Sequence, residues 1–377
     1  VEVINRRNFI TGAAALLGLS AVGADLFIHR PEFGRQPNGE RLKRIESSPH
    51  YKNGQFQCLE PIENIMEGDE NRFIALGKFL FEDKKKERLF PEQSMLSTKT
   101  DLKALPAEKD CIVWMGHSSF FMQLGGRRIL IDPVFSDYAS PLFFINKAFA
   151  GSNVYRAEDL PDIDILALSH DHWDHLDYPT IMSIKTKIGK IVCPLGVGEY
   201  FEQWGFSQEQ IHEEDWFKEI KLADDFSVHV LPSQHFSGRF LTPNATQWGG
   251  FAFITDQKRV YYSGDGGYGE HFKTIGKIFG GFDLAIIENG QYNQTWHRVH
   301  LLPEESAKAA QEVFAKVVLS AHNGKFALAR HAWDEPYRAF KEASQGKNYE
   351  IITPKIGELA NIGRQDKSFS AWWENMM

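Results

Sequence analysis

Residues 168–177 read Leu-Ser-His-Asp-His-Trp-Asp-His-Leu-Asp, with three histidines and three aspartates within ten positions. Imidazole and carboxylate together are the donors of zinc, with iron and manganese as open alternatives. His170 and His172 stand two apart. Helix neighbours are three or four apart, so these two cannot share a helix face. Extended backbone points residues two apart to the same side. The apolar run 163–168 just upstream reads as a short buried strand that would deliver both rings to one metal ion. Asp174 and His175 follow on the next bend and can reach a second ion.

Other residues of the right chemistry fall where strands end. The alternating run 226–232 delivers His235, placed to be a third ligand for the first ion. Residues 259–263 form a strand running into Gly-Asp-Gly-Gly, in which Asp265 is flanked by glycine. Backbone can approach closely there, and one carboxylate oxygen can bridge two ions. The strand 316–322 ends in His322. His117 lies between the strands 111–116 and 120–124, and Asp132 ends the strand 127–133. Both are expected to orient a ligand or to floor the site. His229, inside a strand and facing away from Val228 and Val230, reads as an ordinary strand histidine.

The elements that must carry these residues are legible in outline. Gly125-Gly126 joins two strands as an antiparallel hairpin. A helix is expected over 178–187, a strand over 190–194, and a strand and turn over 283–290. Pro303 with Glu304 and Glu305 opens a helix running to about residue 314. A last helix is expected over 333–342. The insertion 135–154, rich in Phe, reads as core, as the wall of an acyl-chain pocket, or as a membrane-facing lip.

The chain has 377 residues, 42% hydrophobic and 24% charged, which is a globular composition. A formal net charge of −8 argues against a nucleic-acid partner, which calls for a basic surface. Cys58, Cys111 and Cys193 are odd in number and far apart, so no disulfide framework or cysteine zinc site is expected. Arg6-Arg7-Asn8-Phe9-Ile10 ahead of a Gly/Ala/Leu run resembles a twin-arginine leader. Export to the periplasm of a bacterium, or membrane association through an uncleaved anchor, is the expectation. The domain plan is a leader or anchor at 1–30, an extension at 31–105 with a helix over 70–81, and a hydrolase domain at 106–377.

His-x-His-x-Asp-His, then His235, then Gly264-Asp265, then His322 resembles the metallo-β-lactamase superfamily. Trp-Met-Gly-His at 114–117, Asp-Pro-Val-Phe-Ser at 132–136, His-Leu-Leu-Pro-Glu-Glu at 300–305 and the segment 322–329 are similar to its N-acylphosphatidylethanolamine phospholipase D branch. The likeness departs at Asn323, where the branch has Trp, and over 295–299, on the substrate side. The resemblance implies an αββα sandwich with an N-terminal extension. It assigns His170, His172 and His235 to one zinc, Asp174, His175 and His322 to a second, and Asp265 to both. It makes Asp174 and His300 the catalytic candidates. Two Zn2+ ions about 3.5–4 Å apart would activate a shared water to attack phosphorus and clamp a phosphate oxygen. The implied substrate is a lipid or small-molecule phosphodiester, with contact to a membrane surface. Two alternatives are a lactonase similar to the ascorbate-phosphate lactonase relatives and a metal-binding regulator without turnover.

Overall fold

In strand β10 (Phe226–Leu231), Phe226, Val228 and Val230 share one face and Leu231 lies on the other. Both faces of this strand are therefore covered. His229 points outward onto Phe279, ring centroids 5.1 Å apart, as an ordinary strand histidine does. The same two-sided burial recurs through the chain and produces two sheets packed face to face. The structure, a computed structural model, describes residues 25–62, 88–239 and 242–376. The twin-arginine-like run up to residue 24 and the helix expected over 70–81 lie outside the described residues.

One sheet runs β16 (Leu359–Asn361), β3 (Cys111–Trp114), β4 (Phe120–Leu124), β5 (Arg127–Ile131), β6 (Ile163–Ala167), β7 (Ile188–Pro194), β8 (Ile211–Glu214). Its first four strands pair antiparallel and β5 to β8 pair parallel. The second sheet runs β15 (Glu350–Ile352), β14 (Val317–Ala321), β13 (Leu284–Glu288), β12 (Arg259–Tyr262), β11 (Gly250–Thr255), β10, β9 (Lys218–Ala223). There β15 to β12 are parallel and β12 to β9 antiparallel. A small hairpin, β1 (Tyr51–Lys52) with β2 (Gln55–Phe56), precedes both sheets. The Gly125-Gly126 turn is as expected, with φ 55° and 74° matching a two-residue hairpin turn.

Ile112, Phe120, Met122 and Ile131 of one sheet meet Val228, Phe251, Phe253 and Ile286 of the other in a dry inter-sheet core. Truncating a phenylalanine such as Phe251 to Ala there costs about 3–5 kcal/mol. Helices cover the outer faces. Helix α2 (Tyr178–Ile184) and helix α3 (Gly198–Gln203) bury Ile181, Ile184 and Phe201 against Val113, Leu130 and Leu166. Helices α4 (His271–Phe279), α5 (Pro303–Glu312) and α6 (Glu335–Ala343) bury Ile275, Ala309 and Phe340 against Ala285, Ile287 and Val318. The result is an αββα sandwich.

The segment ahead of β3 lies on this body. Ile45, from helix α1 (Gly39–Ser47), and Phe56 and Met95 are buried in the inter-sheet core. Arg41 bonds the carboxylates of Glu199, Glu202 and Glu213, which fastens α1 beside α3 and β8.

Candidate metal centre

Loops leaving the strands at one end of the sandwich carry the polar cluster. β6 runs out into Ser169–His170, whose backbone is held by Ser169 N–H donating to Asp132 Oδ1 at 2.8 Å. Asp171, between the two ligand candidates, points the other way. Its carboxylate accepts from Tyr200 Oη (2.9 Å), Thr246 Oγ1 (3.0 Å) and Gly238 N (2.7 Å). That is the alternation expected of extended backbone. A tight turn follows, with His175 N donating to His172 O at 3.1 Å, and it brings Asp174 and His175 back over the site.

The structure brings the candidates together in two groups. His170 Nε2 lies 2.9 Å from His172 Nδ1, and His235 Nε2 lies 3.2 Å from the same atom. Beside them, His322 Nε2 lies 3.2 Å and His175 Nε2 3.5 Å from Asp174 Oδ2. Asp265 Oδ2 stands between the groups. It is 3.0 Å from His175 Nε2, 3.1 Å from His322 Nε2, and 4.0 Å from both His170 Nε2 and His235 Nε2. Glycine matters before Asp265. A Cβ on Gly264 (φ +62°) would stand 2.4 Å from Gly249 O, so only glycine lets the loop come this near the neighbouring strand.

The rings are aimed from outside. His170 Nδ1 is 2.9 Å from Ser169 Oγ, His175 Nδ1 2.8 Å from Asp132 Oδ2, His235 Nδ1 3.0 Å from Val299 O, and His322 Nδ1 3.0 Å from Glu288 Oε1. Each outer nitrogen has an acceptor, which leaves Nε2 as the nitrogen facing the cluster. His117 Nε2 sits 2.8 Å from Asp174 Oδ2, and Asp132 also accepts from Ser169 Oγ and from Tyr262 Oη at 2.7 Å. Both residues therefore orient the cluster, as their positions at strand ends suggested. Three of these residues pay for their placement in backbone strain: His117 (φ 54°), Asp132 (φ 40°) and His322 (φ 64°) are in the left-handed region.

Charge and burial fit a cation. Asp174 and Asp265 are buried, and burial alone would raise their carboxyls. The histidines around them hold both well below the usual carboxylate range. Burial alone would lower His322, but the Asp265 and Asp174 carboxylates beside it raise it to about 10. His170 and His235 are pushed well down, first by burial and then by neighbouring histidines, and neutral imidazole is the ligand form. His175 Nε2 and Asp265 Oδ1 are buried without a hydrogen-bond partner. Unpartnered donor atoms at the centre of a His/Asp cluster are what a divalent metal ion would satisfy.

His300, beyond the seven candidates, is brought to the same place. Its Nδ1 bonds Glu288 Oε1, and its ring stacks on His322, centroids 5.1 Å apart. Sequence reasoning missed Glu288, which ends the apolar run of β13 as the strands bearing His322 and Asp132 end in polar residues. It also missed Arg239, whose buried guanidinium donates to the carbonyls of Asp171, Leu176 and Glu32. The rings of Trp173 and Tyr200 flank that guanidinium at 4.2 and 5.4 Å. Phe236, Trp296, Val299 and Leu328 give the cleft over the cluster, about 280 Å3, apolar walls. Trp296 and Val299 belong to the segment 295–299 expected on the substrate side.

Facing sheets that gather histidines and aspartates at one end define a metallo-hydrolase. A family model described as the beta-lactamase superfamily domain matches residues 127–323. An uncharacterised protein of Mycobacterium tuberculosis is 32% identical over 318 residues, 83% of this chain and 84% of that protein. The N-acyl-phosphatidylethanolamine-hydrolyzing phospholipase D 1 of Caenorhabditis elegans is 31% identical over 268 residues, 65% of this chain and 74% of that protein. A metallo hydrolase from Ignicoccus hospitalis shares the fold with TM-score 0.51 at 20% identity, over 68% of this chain and 100% of that one. The chain belongs to the metallo-β-lactamase superfamily and is related to its N-acylphosphatidylethanolamine phospholipase D members.

Proposed function

We propose that this protein is a phosphodiesterase of phospholipase D type, holding two zinc ions and releasing the head-group alcohol of a phospholipid or related diester. The observation that carries this reading is the position of Asp265 Oδ2, within 4.0 Å of a nitrogen from each three-residue group. The relation to an N-acylphosphatidylethanolamine-hydrolyzing enzyme supports the substrate class. His170, His172 and His235 would hold one ion, Asp174, His175 and His322 the other, and Asp265 would bridge them. Such a pair supplies Lewis acidity to a phosphoryl oxygen and acidifies water. The chain's own residues do the rest. Apolar walls at Phe236, Trp296 and Leu328 exclude water from the flank of the diester. Water loses a proton as its oxygen joins phosphorus, the P–O bond to the head group breaks, and the leaving alkoxide takes a proton. His300 would give it: Glu288 engages Nδ1, which leaves Nε2 for the proton, and the residue lines the cleft.

The purified protein should hydrolyse bis(4-nitrophenyl) phosphate and should convert an N-acylphosphatidylethanolamine to phosphatidate and N-acylethanolamine. A chelator should abolish both activities and added zinc should restore them. Hydrolysis of lactones without any diester turnover would overturn the reading in favour of a lactonase.

A further inference from the structure

The insertion 135–154 builds a projection with a clamped base and an apolar tip. Its base is pinned by Ala139 N to Asn146 O (3.0 Å), Ala148 N to Asp137 O (2.8 Å) and Phe149 N to Lys325 O (2.7 Å). Asn146 turns the chain at φ 56°. Ala139 is buried beneath it with Val134 and Phe326. What the clamp lifts into water is Phe143, 78% exposed, and Phe144, 67% exposed. The two rings meet edge to face at 5.3 Å, so they pack on each other and leave the core without them. A lone exposed aromatic is ordinary, but a held pair on a raised tip marks a contact surface.

Two further observations say what covers it. Phe143 lines a cavity of about 350 Å3 together with Arg30 and Trp173. The guanidinium of Arg30 lies 5.2 Å over Phe27, next to Leu26, which is itself 67% exposed. The tip and the Leu26 end of the described chain therefore lie on one side. The sequence leading to that end carries no charged residue over positions 8–24 and is rich in Ala and Leu. Trp173 stands between His172 and Asp174, and Leu328 both lines the metal cleft and packs on the cluster under the projection. The projection thus neighbours the metal loop through Trp173 and Leu328, while the tip itself lines no part of the metal cleft.

We propose that the Phe143–Phe144 tip and the adjoining Leu26 edge seat this protein on a lipid bilayer, with the metal cleft at the bilayer surface. Exposed Lys147 behind the tip suits the head-group layer, where a cation and aromatic rings sit side by side. Among the described residues no helix is long and apolar enough to cross a membrane. The orientation of the cleft towards lipid rests on the phospholipase reading; the seating itself does not.

The test uses the full chain with Phe144→Cys carrying a nitrobenzoxadiazole fluorophore, and wild type taken through the same labelling as the blank. Vesicles of phosphatidylethanolamine and phosphatidylglycerol are the probe. Phe144→Cys should shift to the blue and be quenched by brominated lipid, while a label at Phe314→Cys, exposed in the turn between α5 and β14, should stay in water. Phe143→Ser with Phe144→Ser should weaken vesicle partition by roughly tenfold or more, the loss of two buried aromatic side chains. The double variant should keep its rate on a soluble diester. Protein that sediments with vesicles while the Phe144→Cys label stays in water would overturn the proposal. So would equal shifts at both labels, or no sedimentation. The fluorescence, quenching and sedimentation readouts are binding signals, so they stand whether or not the protein proves to be a phosphodiesterase.

Discussion

Nδ1 of His175 donates to Asp132 at 2.8 Å, joining the end of β5 to the loop after β6. The carboxylate is buried and also takes bonds from Ser169 and Tyr262, so it cannot swing away. A ligand histidine held this way keeps one tautomer and one ring plane. Asp132→Asn preserves the shape but removes the charge. It should weaken metal binding about 10–100-fold, read by competition with a chelating dye. Unchanged affinity would show that Asp132 serves the fold alone.

The seven candidate ligands divide three, three and one, so fully active protein should carry two ions per chain. Asp265→Ala should disturb both, because Oδ2 lies near nitrogens of both groups. His235→Ala should mainly loosen the ion shared with His170 and His172. Elemental analysis finding one ion in fully active wild type would refute the binuclear assignment.

Arg239 should prove as important to the metal loop as a ligand, although its bonds there go to backbone carbonyls, that of His172 included. Its guanidinium bonds four backbone carbonyls, three of them in the segment 171–176, and fills the space between Trp173 and Tyr200. Arg239→Ala leaves those carbonyls buried and unpaired, at about 2–4 kcal/mol in a denaturant titration. Metal affinity should fall with it. Arg239→Lys should restore little, because a point charge lacks the planar fork and the stacking face. Full rescue by lysine would mean that charge alone matters there.

Much of this was legible because metal ligation leaves a dense local pattern. The His170–His175 run, His235, Asp265 and His322 each follow an apolar strand, and strand ends are easy to find. The hairpin at Gly125-Gly126 and the Pro303 helix start were legible for the same reason: their turn and cap chemistry is written in adjacent residues. Arg239 and Glu288 were not, because their partners are 63 or more residues away for the Leu176, Asp171 and Glu32 carbonyls and 12 to 34 away for His300 and His322. Strands β15 and β16 are three residues each, too short to show a period. Their places are set by pairing with β14 and β3. The insertion 135–154 stayed ambiguous because it is both things: Phe149 is buried while Phe143 and Phe144 stand in water.

Acid should unfold this protein partly through His271. The ring is buried in α4 without a partner for Nε2, and burial lowers it from 6.5 to about 3. Between those values the unfolded chain takes a proton that the folded chain refuses. Stability is therefore complete above about pH 6.5 and is lost as pH falls towards 3. His271→Leu removes this titration at similar volume. The difference in unfolding free energy between variant and wild type should then change with pH only inside that window, by at most about 1.4 kcal/mol per pH unit. A pH-independent difference would remove His271 from the account.

His300 offers the sharpest test of the chemistry. Its Nδ1 is taken by Glu288, which also holds His322 at 3.0 Å, so one buried carboxylate fixes a metal-ligand candidate and the histidine beside it. None of the seven ligand positions needs His300, yet it lines the cleft with Asp265 and Trp296. A proton given to the leaving alkoxide is worth about 10²–10⁴-fold in rate. His300→Ala should therefore keep two metals and the fold, and lose kcat by about that factor on an alkyl diester. Nitrophenolate leaves without a proton, so the loss should shrink when it is the leaving group. If His300→Ala loses metal, its place is among the ligands. If it slows good and poor leaving groups equally with both metals retained, His300 positions the diester or stabilises its charge, and the proton comes from elsewhere.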